Sequence, residues 1–150
     1  AAPQGSERAS RKLDWAARLH EMGCLISHSD SHRHGAYILD NTDAAGFAVP
    51  ELHRLGVLVQ GQRGKVRKLG VDLDDPIFVL QLLCLRLAVA LCHARRDPDT
   101  AGLVLQCNGQ RFFVRTRAGW AAAYPQSAHL LREEAQAWQK TPWELLIDLP

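Results

Sequence analysis

"WAARLHEMGCLISHSDSHRHGAYIL", residues Trp15–Leu39, decides how this chain is read. It carries four of the seven histidines: His20, His28, His32 and His34. From Ser10 to about Met22, Asp14, Arg18 and Glu21 form one polar line. Leu13, Ala16, Ala17, Leu19 and Met22 fill the rest, which predicts a helix with one broad buried side. Gly23 is placed to stop it. "SHSDS" is capping-rich loop chemistry, in which Asp30 or Ser31 caps a second helix reaching about Asn41.

Helical signals continue downstream. Pro50 and Glu51 suit the first turn of a third helix that runs to about Gln60. "GQRGKVRKLGVDLDD", Gly61–Asp75, is glycine-rich, basic first and acidic afterwards, and reads as a loop. Asp75 and Pro76 open "PIFVLQLLCLRLAVALCHARR", apolar nearly all round and therefore the expected central helix. After "DPDTAG" the period changes. "GLVLQCNGQRFFVRT" is two strands joined at Asn108-Gly109, a strong hairpin signal. "PQSAHLLREEAQAWQ" is an amphipathic helix with Leu131, Ala135 and Trp138 on one face. "WELLIDL" places Leu145, Ile147 and Leu149 on one side of a last strand. The fold class expected is mainly α with a small α+β part: a helical bundle, then a small antiparallel sheet with one packed helix.

Bulk composition excludes several classes. The longest apolar run, Pro76–Cys92, is broken by Gln81 and Arg86, so no membrane span is expected. "AAPQGSERAS" has no apolar signal core; it reads as a frayed arm, with residues 1–9 expected to be disordered. A net charge of +2 does not favour bulk nucleic-acid binding. Cys24, Cys84, Cys92 and Cys107 show no C-x-x-C spacing, which points to buried reduced thiols and a cytoplasmic location.

The histidines invite a metal reading. His20-Glu21 resembles the His-Asp pair of the HD metal-hydrolase superfamily, but glutamate replaces aspartate and no histidine precedes it. "RLAVAL", Arg86–Leu91, puts Val89 where that superfamily carries its later acid, and valine ligates nothing. His20 and Glu21 are therefore candidates of a degenerate site, with no metal expected. His28 and His32 have i, i+4 spacing, yet "SDS" between them argues for a loop. Arg86 is costly in an apolar helix unless paired. It is expected to play a structural role, meeting Glu21 or Asp30 and filling the vacated metal cavity with its own charge.

The stretch Trp15–Phe47 also closely resembles the C-terminal region of the exopolyphosphatase / guanosine pentaphosphate phosphohydrolase family, whose pattern is roughly W-A-A-x-L-H-E-x-G-x-x-I-x-H-x-x-x-H-x-H-x-A-Y-I-L. "LVQGQRGKVRKL", "LLCLRLAVALCHAR" and the terminal helix and strand extend the resemblance to about Leu149. It implies a truncated HD-like helical domain over residues 1–97 and a small α+β domain over 98–150. It implies that intact members carry N-terminal actin-like domains with the catalytic glutamate and magnesium. Members release terminal phosphate from inorganic polyphosphate, or the 5′ phosphate from guanosine pentaphosphate, and commonly dimerise around a basic channel. On that implication the chain is a C-terminal fragment with no catalytic residue of its own, and a homodimer forms in the intact protein.

Arg63, Lys65, Arg67 and Lys68 lie in one short stretch with Gly61, Gly64 and Gly70. Guanidinium and ammonium groups pair with phosphate oxygens, and glycine lets backbone N–H groups approach them. These four are the expected polyphosphate contacts, with His28, Arg33 and His34 lining the same channel. The opposing reading is a solvated basic loop balanced by Asp72, Asp74 and Asp75. Two further functions compete: an independent HD-type metal phosphohydrolase, and a nucleic-acid module built on Arg111, Phe112, Phe113 and Arg115 of the hairpin.

Overall fold

The computed structural model describes residues 4–150. The chain forms two compact units. One holds the chain up to Arg63 together with Leu69–Leu85; the other holds Gly64–Lys68 and Arg86–Pro150. The division falls inside the helix Pro76–Leu91.

The first unit is helical. Helix α1 spans Gln4–Leu19, so residues 4–9 are helix where a frayed arm was expected; residues 1–3 lie outside the described residues. A buried Gln81 secures this early turn by donating to the Ala9 carbonyl at 2.7 Å. The helix ends at Leu19, ahead of Gly23. Gly23 sits instead in a 3-10 turn, Met22–Leu25, that crosses the start of helix α2, Ser31–Asp40. A Cβ on Gly23 would overlap the Ser31 carbonyl oxygen and lie 2.6 Å from the Gly35 nitrogen. The glycine is there for close backbone approach. Asp30 does precede α2, but in left-handed conformation and with no side-chain cap.

Helix α3, Val49–Gly61, packs along α2. The Glu51 carboxylate accepts from the Ala48 N–H at 3.1 Å, closing its first turn. Helix α4 spans Pro76–Leu91, shorter than the run to Arg96 suggested. Asp75 Oδ1 caps it, accepting from Ile77 N at 3.0 Å and Phe78 N at 3.2 Å. Leu39, Leu55, Leu58, Val59, Val79 and Leu82 form the heart of this unit's core. α4 is not buried all round, because Ile77 and Leu80 face solvent.

The second unit carries the sheet. β1 (Leu103–Asn108) and β2 (Arg111–Thr116) form the expected antiparallel hairpin, with Asn108 opposite Arg111. Gly109 has φ +59°, which a two-residue turn requires and glycine supplies cheaply. A short helix α5, Trp120–Ala123, and helix α6, Pro125–Ala137, lead to β3, Glu144–Asp148. β3 pairs with β2 in parallel, so the sheet is mixed and not antiparallel. The reason is the crossover: α5 and α6 return the chain to the end of the sheet where β2 began. Phe112, 1% exposed, stacks on Trp143 at 5.1 Å and meets Trp138 of the α6 terminus edge-on at 6.0 Å. The four cysteines are free, but Cys92 and Cys107 are exposed and Cys24 and Cys84 half-buried, because helix α4 ends beside Cys92 and β1 turns Cys107 outward.

Candidate phosphate-binding surface

The histidines do not converge. His20 Nδ1 lies 2.6 Å from the Ala17 carbonyl, to which it donates, so the ring closes the end of its own helix. Glu21 is exposed at the start of the 3-10 turn, and its carbonyl accepts from Cys24 N. His28 lies in the loop before α2. Among the described residues no three His, Cys, Asp or Glu side chains are grouped as a metal site. Val89 contributes no oxygen on α4.

His32, Arg33 and His34 occupy the first turns of α2. His32 is half-buried, and its Nδ1 has no hydrogen-bond partner. Burial holds its pKa below the ordinary imidazole value; Arg33, Arg63 and His34 push the same way and Asp30 opposes them. Burial thus disfavours the charged form of the ring. Nearby in the chain, Gln62, buried just beyond α3, donates to the His20 carbonyl at 2.7 Å. The first unit therefore places Arg33, His34 and Arg63 near His32.

Lys65, Arg67 and Lys68 belong to the second unit. A 3-10 turn, Val66–Lys68, holds them, with Lys68 N bonded to the Lys65 carbonyl at 3.0 Å. Gly64 (φ +79°) and Gly70 (φ +69°) bracket it. Val66 is 2% exposed, while the three cations are exposed. Among the described residues, Arg33, Arg63, Lys65, Arg67 and Lys68 pair with no carboxylate. Two of the three acids expected to balance them bond elsewhere. Asp75 Oδ2 accepts from Arg54 Nη1 at 3.0 Å, and Asp72 Oδ1 accepts from Asp74 N at 2.8 Å.

Arg86 is 4% exposed and forks onto Glu134, with Nε to Oε1 at 2.6 Å and Nη2 to Oε2 at 3.2 Å. The sequence pointed to Glu21 or Asp30 and did not suggest this partner. A signal was present: Glu134 falls between Leu131 and Trp138 on the buried face of α6. A second network that the sequence did not suggest links Arg54 to Gln81 and Asp75, with the guanidinium 5.3 Å from the centre of the Phe78 ring.

A family model described as Ppx/GppA phosphatase, domain III, matches residues 2–135. The chain belongs to this family. A guanosine-5'-triphosphate,3'-diphosphate pyrophosphatase of Pseudoalteromonas translucida (strain TAC 125) is 28% identical over 141 residues, covering 91% of this chain. The chain spans 28% of that relative's length. As a Ppx/GppA domain III, the chain has the HD-like helical character that its opening stretch implied.

In the hairpin of this Ppx/GppA chain, Phe113 is half-exposed. Phe112 is buried, and the parallel register sets both arginines against acids of β3. Arg111 meets Glu144 at 3.0 Å and Arg115 meets Asp148 at 2.7 Å. No helix among the described residues is long and apolar enough to cross a membrane.

Proposed function

We propose that this chain is the substrate-guiding C-terminal part of a Ppx/GppA hydrolase that releases terminal phosphate from inorganic polyphosphate. Lys65, Arg67 and Lys68 are the phosphate contacts of the second unit, and Arg63, with His28, Arg33 and His34, those of the first. Bond cleavage, with its magnesium, belongs to actin-like domains outside this chain, and the intact protein works as a cytoplasmic homodimer. One observation carries the reading. The basic turn presents Lys65, Arg67 and Lys68 together, exposed and free of carboxylates among the described residues. A row of uncommitted cations on a glycine-bracketed turn suits a polyanion better than it suits folding.

Guanosine pentaphosphate is the second substrate reading, favoured by the activity for which the Pseudoalteromonas relative is named. Both ligands present linked phosphates, so titration of the chain with each, across several salt concentrations, separates them. Polyphosphate binding should weaken steeply with salt. Arg63→Glu with Lys65→Glu should lower the slope of log affinity against log salt by roughly 0.7 for each phosphate pairing removed, by analogy with single-stranded nucleic acid. Unchanged affinity and slope in that variant would sink the proposal.

A further inference from the structure

We infer that Arg86 and Glu134 are positioning residues for the basic turn, setting Gly64–Lys68 in the shape that presents Lys65, Arg67 and Lys68; this rests on the function proposed above. Glu134 is 8% exposed and receives three bonds: Arg86 Nε at 2.6 Å, Arg86 Nη2 at 3.2 Å and Trp138 Nε1 at 2.9 Å. The same Nη2 also donates to the Gly64 carbonyl at 2.9 Å. All of these groups lie in one compact unit.

A buried ion pair is a poor choice if stability is the purpose, since apolar residues of similar volume serve as well or better. An apolar pair cannot bond a backbone carbonyl. That is what Arg86 does, at the residue whose φ of +79° turns the chain into Lys65. Glu134 holds the guanidinium plane, the guanidinium holds Gly64, and Gly64 sets the entry to the turn. Beyond this point the turn relies on the burial of Val66 and the Lys68–Lys65 backbone bond. A turn ordered in advance need not be ordered by the ligand, which tightens binding without any new interaction.

The test uses the whole 150-residue chain. The double variant Arg86→Met/Glu134→Leu removes both charges at similar volume and should keep the cooperative fold. Hydrogen exchange at the Lys68 amide should then speed up at least tenfold. Affinity for long-chain polyphosphate should fall about tenfold, the scale of ordering one further residue on binding. Lys65→Gln should weaken binding less in this background than in the unaltered chain, a coupling that a purely structural role would not produce. If the double variant does not fold, Arg86→Lys, which keeps the charge but loses the fork, is read by the same three measurements. Native Lys68 exchange and native affinity in a folded variant overturn the inference and leave the proposed function standing. Failure of the unaltered chain to bind polyphosphate overturns both.

Discussion

Alanine at Gly23 is the most demanding test of how the histidine-rich stretch folds. The added Cβ would overlap the Ser31 carbonyl oxygen and lie 2.6 Å from the Gly35 nitrogen and 2.7 Å from the Ser31 carbonyl carbon. All three are backbone atoms of α2, so no rotamer change relieves the clash. Overpacking costs about 1–3 kcal/mol, and a rigid backbone neighbour puts Gly23→Ala at about 3 kcal/mol or above. Two helical glycines supply internal controls. At Gly35 the Cβ would meet Val59 Cγ1 at 2.8 Å, a side chain that can shift. At Gly56 it would lie 3.3 Å from the Ala36 carbonyl and from Asp40 Oδ1. Both substitutions also gain roughly 1 kcal/mol of helix propensity, which Gly23, in a 3-10 turn, does not. The expected order of destabilisation is Gly23→Ala, then Gly35→Ala, then Gly56→Ala, the last near neutral. Urea unfolding followed by far-UV circular dichroism measures it. At roughly 2–4 °C per kcal/mol, Gly23→Ala should also melt about 6–12 °C lower. A Gly23→Ala stability within about 0.5 kcal/mol of Gly56→Ala, the scatter of ordinary surface changes, would refute the close-approach argument.

Asp75→Ala should cost about 2 kcal/mol, mostly through the lost α4 cap, since the half-exposed Arg54 pair is screened. Burial raises the Asp75 pKa, but the Phe78 N–H, Arg54 and the Ile77 N–H outweigh it, so the value is held below the ordinary carboxylate range. Its contribution is therefore present above about pH 3.9 and lost as pH falls through the depressed value, and the gap between variant and unaltered chain should close there. For His32 the depressed value means stability that is complete above about pH 6.5 and lost as pH falls through the folded-state pKa. An NMR titration of its ring should find a midpoint below about 6.5; a higher one contradicts the burial argument. With a thiol reagent at neutral pH, exposed Cys92 and Cys107 should react ahead of Cys84, whose pKa burial raises. Equal rates would refute this.

Local chemistry made much of this protein legible from sequence. The helix periods, the Pro50 and Asp75 starts, the hairpin at Gly109 and the apolar faces depend on neighbours a few residues away, and they stand near where periodicity and capping put them. The long motif from Trp15 was enough for the family. The basic run Arg63–Lys68 was visible as composition.

Tertiary structure decided what depends on distant neighbours. Gly23 looked like a helix stop; packing against α2 made it a crossing point. β3 looked like a third antiparallel strand; the length and path of the α6 crossover made it parallel. The acids after the basic run looked like its counter-charges; Arg54 and the α4 N-terminus claimed Asp75. Arg86 needed a partner 48 positions away, and no local pattern names one. Short-range propensities fix elements because they act within a turn. Which charges remain uncommitted depends on pairings the chain makes only once folded.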